Sequence, residues 1–224
     1  MSSFAVRSAL QSAALVLPAV LTFVCAGTIY FWQGWLFWLA FGACTVATGI
    51  YVRLRDPALL ERRMRVGPIA ETRPLEKAIA AAMLAVFFAL AMASGLDHRW
   101  GWSQVPAAVV ITANVLVIAC FGLFLVVLRE NTFAASTVTV EAGQRVISTG
   151  LYAYVRHPMY SGGVLLLFAM PLAMGSAWGL VISTLAIPLL IARIVDEERS
   201  LSAELAGYDD YRRAVRYRLI PRLW

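Results

Sequence analysis

Apolar runs of bilayer-crossing length recur along this chain, and they constrain its fold more than any other feature. A hydrocarbon core about 30 Å thick takes about 20 helical residues to cross. Ala9–Tyr30, Trp32–Leu54, Leu75–Leu96 and Val105–Leu128 read as spans. Two shorter runs follow, Pro158–Met174 and Ala177–Val195, separated only by Gly175 and Ser176, which predicts a tight helical hairpin. Lipid offers the backbone no hydrogen-bond partners, so a span must satisfy its own amides. The expected fold is therefore all-α and integral to the membrane, with about six transmembrane helices. Composition agrees: 61% of residues are hydrophobic and 14% charged, against roughly a quarter charged in a soluble domain. The first run carries Arg7, exceeds a signal-peptide core and is closed by no A-x-A site, so it is read as a span.

The charges give an orientation. Of 19 Lys and Arg residues, only Arg99 falls in a loop on the odd-numbered side; Arg7, the 53–77 and 129–156 loops and the 193–222 tail share the other. The positive-inside rule then places both termini and these loops in the cytoplasm, in an inner or cytoplasmic membrane. Trp32, Trp35, Trp100, Trp102 and Trp178 cluster at the opposite interface, as an aromatic belt does. The net charge of +6 follows from topology. Its basic residues are spread over four segments without a binding motif, so no nucleic-acid partner is expected. Cys25, Cys44 and Cys120 lie inside spans, there are two histidines, and no Cys/His cluster predicts a metal.

Residues 1–224 are read as one membrane domain, with a four-span scaffold over 1–128 and the chemistry-bearing residues concentrated over 129–224. Within the scaffold, the mixed-charge loop 53–74 holds an amphipathic piece around Ala58–Met64, expected to lie at the interface with basic anchors.

The loop 129–158 is long for a connection between spans, and such loops are often functional. Thr137–Val140 and Gln144–Ile147 have extended, β-like character around the turn Glu141-Ala142-Gly143. Pro158 then opens a helix, a position that favours proline. The first-turn N–H groups have no partner within the helix and favour an anion. With Arg156 and His157 beside them, the sequence Arg-His-Pro borders a carboxylate or phosphate cradle.

Past Pro188, no breaker stands before Gly207, so the last span should continue beyond the membrane. Arg193 and Glu197 share one face, and Glu198 lies next to it. An Arg near the end of an apolar helix must snorkel, pair or serve a site. An Arg193–Glu197 pair has the less favourable order for i,i+4 pairing. Two carboxylates beside a Tyr/His/Arg cluster suit a ligand carrying both charges, as an amino acid-like cofactor does.

The residues Gly143–Ile147, Thr149-Gly150, Tyr152, Arg156–Pro158, Tyr160 and Gly162, then Arg193 and Glu197-Glu198, then Gly207-Tyr208, Tyr211, Val215, Arg218 and Pro221 form a recognisable series. Over roughly residues 105–224 the chain resembles the isoprenylcysteine carboxyl methyltransferase and phospholipid methyltransferase family of membrane enzymes. The resemblance implies S-adenosylmethionine as cofactor, S-adenosylhomocysteine as product, and a lipid-like acceptor entering from the bilayer. Carried over by residue, Gln144, Arg145, Val146 and Ile147 would meet the adenosine. Tyr152, His157 and Tyr160 would line the cofactor and Glu197 would take its polar groups. Gly150, Arg156, Pro158, Met159, Gly162 and Glu198 would complete the cofactor site, and Arg193 would orient the acceptor. The implied acceptor is a carboxylate of the isoprenylcysteine type, for which no strong base is needed. A phospholipid amine or a small-molecule thiol is the alternative, with His157 or Glu198 as base.

Two other classes fit less of the sequence. Membrane sterol reductases carry a C-terminal pattern similar to GYDDYRRAVRYRLIP, which would imply a nicotinamide cofactor. A non-catalytic carrier would place polar residues or broken helices near mid-membrane, where this chain has little beyond Asn114 and the Thr45/Thr48 pair.

Overall fold

The computed structural model describes residues 3–64, 67–134 and 143–224, with side chains from residue 15 onward. Its helices are α1 (Ser3–Ala26), α2 (Trp32–Arg55), α3 (Pro57–Arg63), α4 (Pro74–Trp100), α5 (Ala107–Glu130), α6 (Pro158–Ala173), α7 (Gly179–Glu204) and α8 (Tyr208–Ala214), with a 3₁₀ turn at Gly150–Ala153. Among the described residues there is no strand. Gln144–Ile147 is irregular rather than a strand, and Thr137–Val140 lies outside the described residues.

Four helices, α2, α4, α5 and α7, are long and apolar enough to cross a membrane; the apolar part of α1 described here, Leu15–Ala26, and α6 are shorter. At about 1.5 Å per residue, the 26 residues of α7 exceed the hydrocarbon thickness, so its polar end projects beyond the apolar bundle. α6, with 16 residues, falls short of it.

The bundle packs α1 on α4, α5 on α6, α4 on α7 and α2 on α5. Phe37, Trp38, Leu90, Val117 and Met170, from α2, α4, α5 and α6, meet in one core. The Trp38 indole donates to the Thr22 hydroxyl at 3.1 Å, which satisfies the one polar atom a buried Trp brings. Outward, Leu39, Val46, Ile118 and Leu185 are exposed apolar side chains. A surface of that kind matches lipid rather than water.

The two ends differ. At one, Trp32, Trp35, Trp100, Trp102 and Trp178 are all about half exposed. There the α6–α7 turn is tied to α4 through Asp97, which accepts from the Ser176 hydroxyl at 2.5 Å and the Ser103 hydroxyl at 2.7 Å. The other end carries the basic residues. There the expected amphipathic piece is α3: Asp56 caps it by accepting from the Leu59 amide at 2.9 Å, Pro57 opens it, and Leu59 is buried against Val52 and Leu128. Arg62 and Arg63 donate to the carbonyls of Thr132 and Ala134 at 2.7 and 3.1 Å. These bonds join α3 to the segment after α5.

Candidate functional site

The basic end gathers most of the predicted residues, and α7 organises them by helical spacing. Arg193 and Glu197, four residues apart, face α4 and α6. Glu198, one residue on and so about 100° around the helix, faces the segment before α6 and the C-terminal tail.

Glu198 is 3% exposed and is held by cations. Its carboxylate accepts from Arg156 Nε at 2.7 Å and Arg218 Nε at 2.9 Å, with His157 Nε2 at 3.2 Å. Arg156 also donates through Nη1 to the carbonyls of Val215 and Arg216, both at 2.8 Å. The tail closes over the same residues: the Arg156 and His157 amides each donate at 2.9 Å, to Tyr217 and Arg218 carbonyls, and the Ser161 hydroxyl donates to Leu219 O at 2.7 Å. This corrects one expectation. Arg156 and His157, expected to stand beside an anion at the start of α6, are buried and turned to Glu198 and the tail.

The partners of Arg193 come from other elements, and the disfavoured pairing with Glu197 is not made. No Arg193–Glu197 ion pair forms, because the Tyr160 phenol sits between them: Arg193 Nε donates to Tyr160 Oη at 3.1 Å, and that hydroxyl donates to Glu197 Oε2 at 2.6 Å. The guanidinium fork meets two carboxylates from the amino-terminal half, Nη1 to Glu76 at 2.5 Å and Nη2 to Glu71 at 2.9 Å. Arg73 lies 2.6 Å from Asp196 and donates to the Ser200 hydroxyl at 2.6 Å. The fork is thus gripped inside the protein, where the sequence placed it open to an acceptor.

The remaining predicted residues fall around these two knots. Tyr152 accepts from the Asn131 amide at 3.0 Å. Burial pushes its phenol up to about 12. Its backbone carbonyl accepts from Tyr211 Oη at 2.8 Å. Val146 and Tyr152 pack with Leu205, Tyr208 and Tyr211. Burial raises the Tyr208 and Tyr211 phenols as well. Pro158 is buried at the first position of α6, and Met159 packs on the Val52–Leu128 cluster. Gly150 has φ +56° and faces Glu130 so closely that a Cβ would overlap its carboxylate; the neighbouring Leu151 amide donates to that carboxylate at 3.0 Å. Gly162 lies against Phe124, 2.6 Å from where a Cβ would be, so its smallness serves the α5–α6 contact. Gln144 and Ile147 are half-buried and Arg145 is exposed.

Sequence reasoning missed Glu71, Glu76, Asn131 and Glu130. Only Glu76 carried a signal, an acidic residue in the first turn of a helix opened by Pro74, and that pattern ordinarily marks a helix dipole partner on the surface. Tyr208 was seen only as part of a pattern. The structure buries it to 4% exposure and leaves its hydroxyl without a hydrogen-bond partner among the described residues. Such orphaned buried groups are rare and call for an explanation. Among the described residues no cluster of His, Cys, Asp and Glu could hold a metal ion.

Residues 109–203 match the model of the isoprenylcysteine carboxyl methyltransferase family. This stretch runs from α5 through most of α7 and so contains Tyr160, Arg193, Glu197 and Glu198. Glu71, Glu76, Tyr208 and the tail lie outside it. No curated protein matches the chain significantly. The family domain and the apolar helices support a membrane methyltransferase.

Proposed function

We propose that this membrane methyltransferase uses S-adenosylmethionine, held at the basic end of the bundle, to methylate a lipid-like acceptor that reaches the site from the bilayer. The observation that carries the reading is the convergence of Tyr160, Arg193 and Glu197 within the family-matched segment, on two helices that are joined only by a tight turn.

The donor set fits the cofactor. Its methyl group is delivered from a sulfonium, a cation of the kind that aromatic faces attract. Tyr152 and Tyr160 supply such faces. The Glu197 carboxylate can accept from ribose hydroxyls or an ammonium, and the first-turn N–H groups of α6 favour a carboxylate. The orphaned Tyr208 hydroxyl, packed beside Val146 and Tyr152, offers one more buried donor where the sequence places the adenosine contacts. Gln144, Arg145, Val146 and Ile147 are assigned to that portion. Gly150, Arg156, His157, Pro158, Met159, Gly162 and Glu198 shape and support the wall.

Methyl transfer is an in-line displacement that depends mainly on alignment. The two candidate bases, His157 and Glu198, are committed to each other and to Arg156 and Arg218. That commitment favours an acceptor that arrives already ionised, a carboxylate of the isoprenylcysteine type, over an amine or a thiol that must lose a proton. Arg193, with its fork held by Glu71 and Glu76 and its Nε by Tyr160, would set the acceptor's approach through the wall it fixes rather than by direct contact. Both termini and this end of the bundle are assigned to the cytoplasm from the distribution of Lys and Arg.

The test is transfer of label. Proteoliposomes with methyl-labelled S-adenosylmethionine and a prenylated cysteine carboxylate should yield a labelled, base-labile ester in the organic phase. Label appearing only in base-stable amine products would move the acceptor to the phospholipid class. No label in any product would contradict the enzyme reading.

A further inference from the structure

The amino-terminal half, with no readable chemistry in its spans, supplies the only carboxylates bound to Arg193's terminal nitrogens among the contacts described. Glu71 is 4% exposed and Glu76 fully buried. Glu71 lies just before α4 and Glu76 in its first turn. Both lie more than a hundred residues from Arg193 in the chain, with sequence separations of 122 and 117. Buried carboxylates are expensive to retain for stability alone, because removing charges from water costs several kcal/mol per ion. Here they grip both arms of one guanidinium, and the third nitrogen of that guanidinium holds Tyr160, whose proton is directed at Glu197.

We infer that Glu71 and Glu76 are positioning residues for the cofactor site, acting through the chain Glu71/Glu76–Arg193–Tyr160–Glu197. This rests on the reading of Glu197 as a cofactor contact. The guanidinium is planar, so fixing Nη1 and Nη2 fixes where Nε–H points. That N–H occupies the Tyr160 oxygen as an acceptor and leaves the phenol proton for Glu197. Glu197 is then held in one rotamer with its second oxygen set for a ligand. If the grip is lost, Arg193 turns, the phenol gains other orientations, and Glu197 loses its fixed rotamer. The half of the chain that looks like plain scaffold therefore sets the geometry of a side chain on the last long helix.

Two readouts separate this inference from the cofactor reading. The first needs no ligand: 3-fluorotyrosine placed at Tyr160 should show a changed ¹⁹F resonance on Glu76→Gln or Glu71→Gln. An unchanged resonance in both variants overturns the inference even if the protein binds S-adenosylmethionine normally. The second is a double-mutant cycle on the dissociation constant for S-adenosylmethionine. Glu76→Gln should weaken binding about fivefold in the parent protein and less than about twofold when Tyr160 is already Phe, because the chain is then cut. An equal loss in both backgrounds means a general packing role and overturns the inference. If Glu76→Gln does not fold, Glu71→Gln on the other arm carries the same test. A parent protein that binds no S-adenosylmethionine but shows the resonance change would sink the cofactor reading and leave the Glu71/Glu76 grip on Tyr160 standing.

Discussion

Two buried carboxylates, Asp97 at the tryptophan-rich end and Glu198 at the basic end, are held by opposite means. Asp97 is 1% exposed and is bound by neutral donors: the Ser103 amide and hydroxyl, each at 2.7 Å, and the Ser176 hydroxyl. Glu198, at 3%, is bound by two guanidinium groups and an imidazole. Neutral donors join the end of α4 to two connections, α4–α5 and α6–α7, without building up positive charge. The cationic cage ties together the segment before α6, helix α7 and the tail, the three pieces that surround the proposed cofactor. On the proposed reading, the difference separates a splice from the wall of the cofactor site.

Glu198→Ala should break the comparison most severely. It leaves Arg156 buried without its carboxylate, a loss of about 3–5 kcal/mol, and thermal unfolding in detergent should show it together with lost cofactor binding. Asp97→Asn keeps the shape but puts an amide where an acceptor oxygen stood. It should cost about 1–3 kcal/mol, and binding per folded molecule should stay the same. If Asp97→Asn abolished binding at unchanged stability, the two knots would not be different in kind. Arg193→Lys sharpens the comparison within the basic end. A point charge cannot hold Glu71, Glu76 and Tyr160 at once, so turnover should fall at least about tenfold, roughly 1.4 kcal/mol of barrier. Timed methyl transfer at saturating cofactor measures this, and near-normal turnover would reduce Arg193 to an anchor. Tyr152→Phe should have the smallest effect, about 1 kcal/mol for the hydrogen bond from Asn131. Tyr152 also carries a pH signature. Its folded pKa, about 12, lies above the unfolded value of about 10. Its contribution to stability is therefore complete below about pH 10 and is lost as pH rises from there toward 12. Alkaline unfolding of Tyr152→Phe should lack that part of the decline.

The helices were legible because a bilayer leaves a chain few options. Each expected span corresponds to a helix, four of them long and apolar enough to cross a membrane, and the amphipathic piece read around Ala58–Met64 is α3. Spacing on α7 correctly put Arg193 and Glu197 on one face. It also spoke against their pairing, but not for what stands between them, because spacing along one helix says nothing of a side chain inserted from another, and Tyr160 comes from α6. Glu71 and Glu76 were illegible for the same reason. In sequence they are charges at the edge of a span, and only packing reveals that they are buried against a partner far along the chain. The Arg-His-Pro element showed a related limit. Its concentration at one point signalled a built feature, yet its charges answer Glu198 rather than a ligand anion.

Calorimetry on the purified protein in detergent tests the central claim most directly. The account predicts that S-adenosylmethionine and its demethylated product both bind, and that Glu197→Gln weakens binding while leaving thermal stability nearly unchanged. Absence of heat with either compound, alongside clear binding of a reduced nicotinamide, would contradict it.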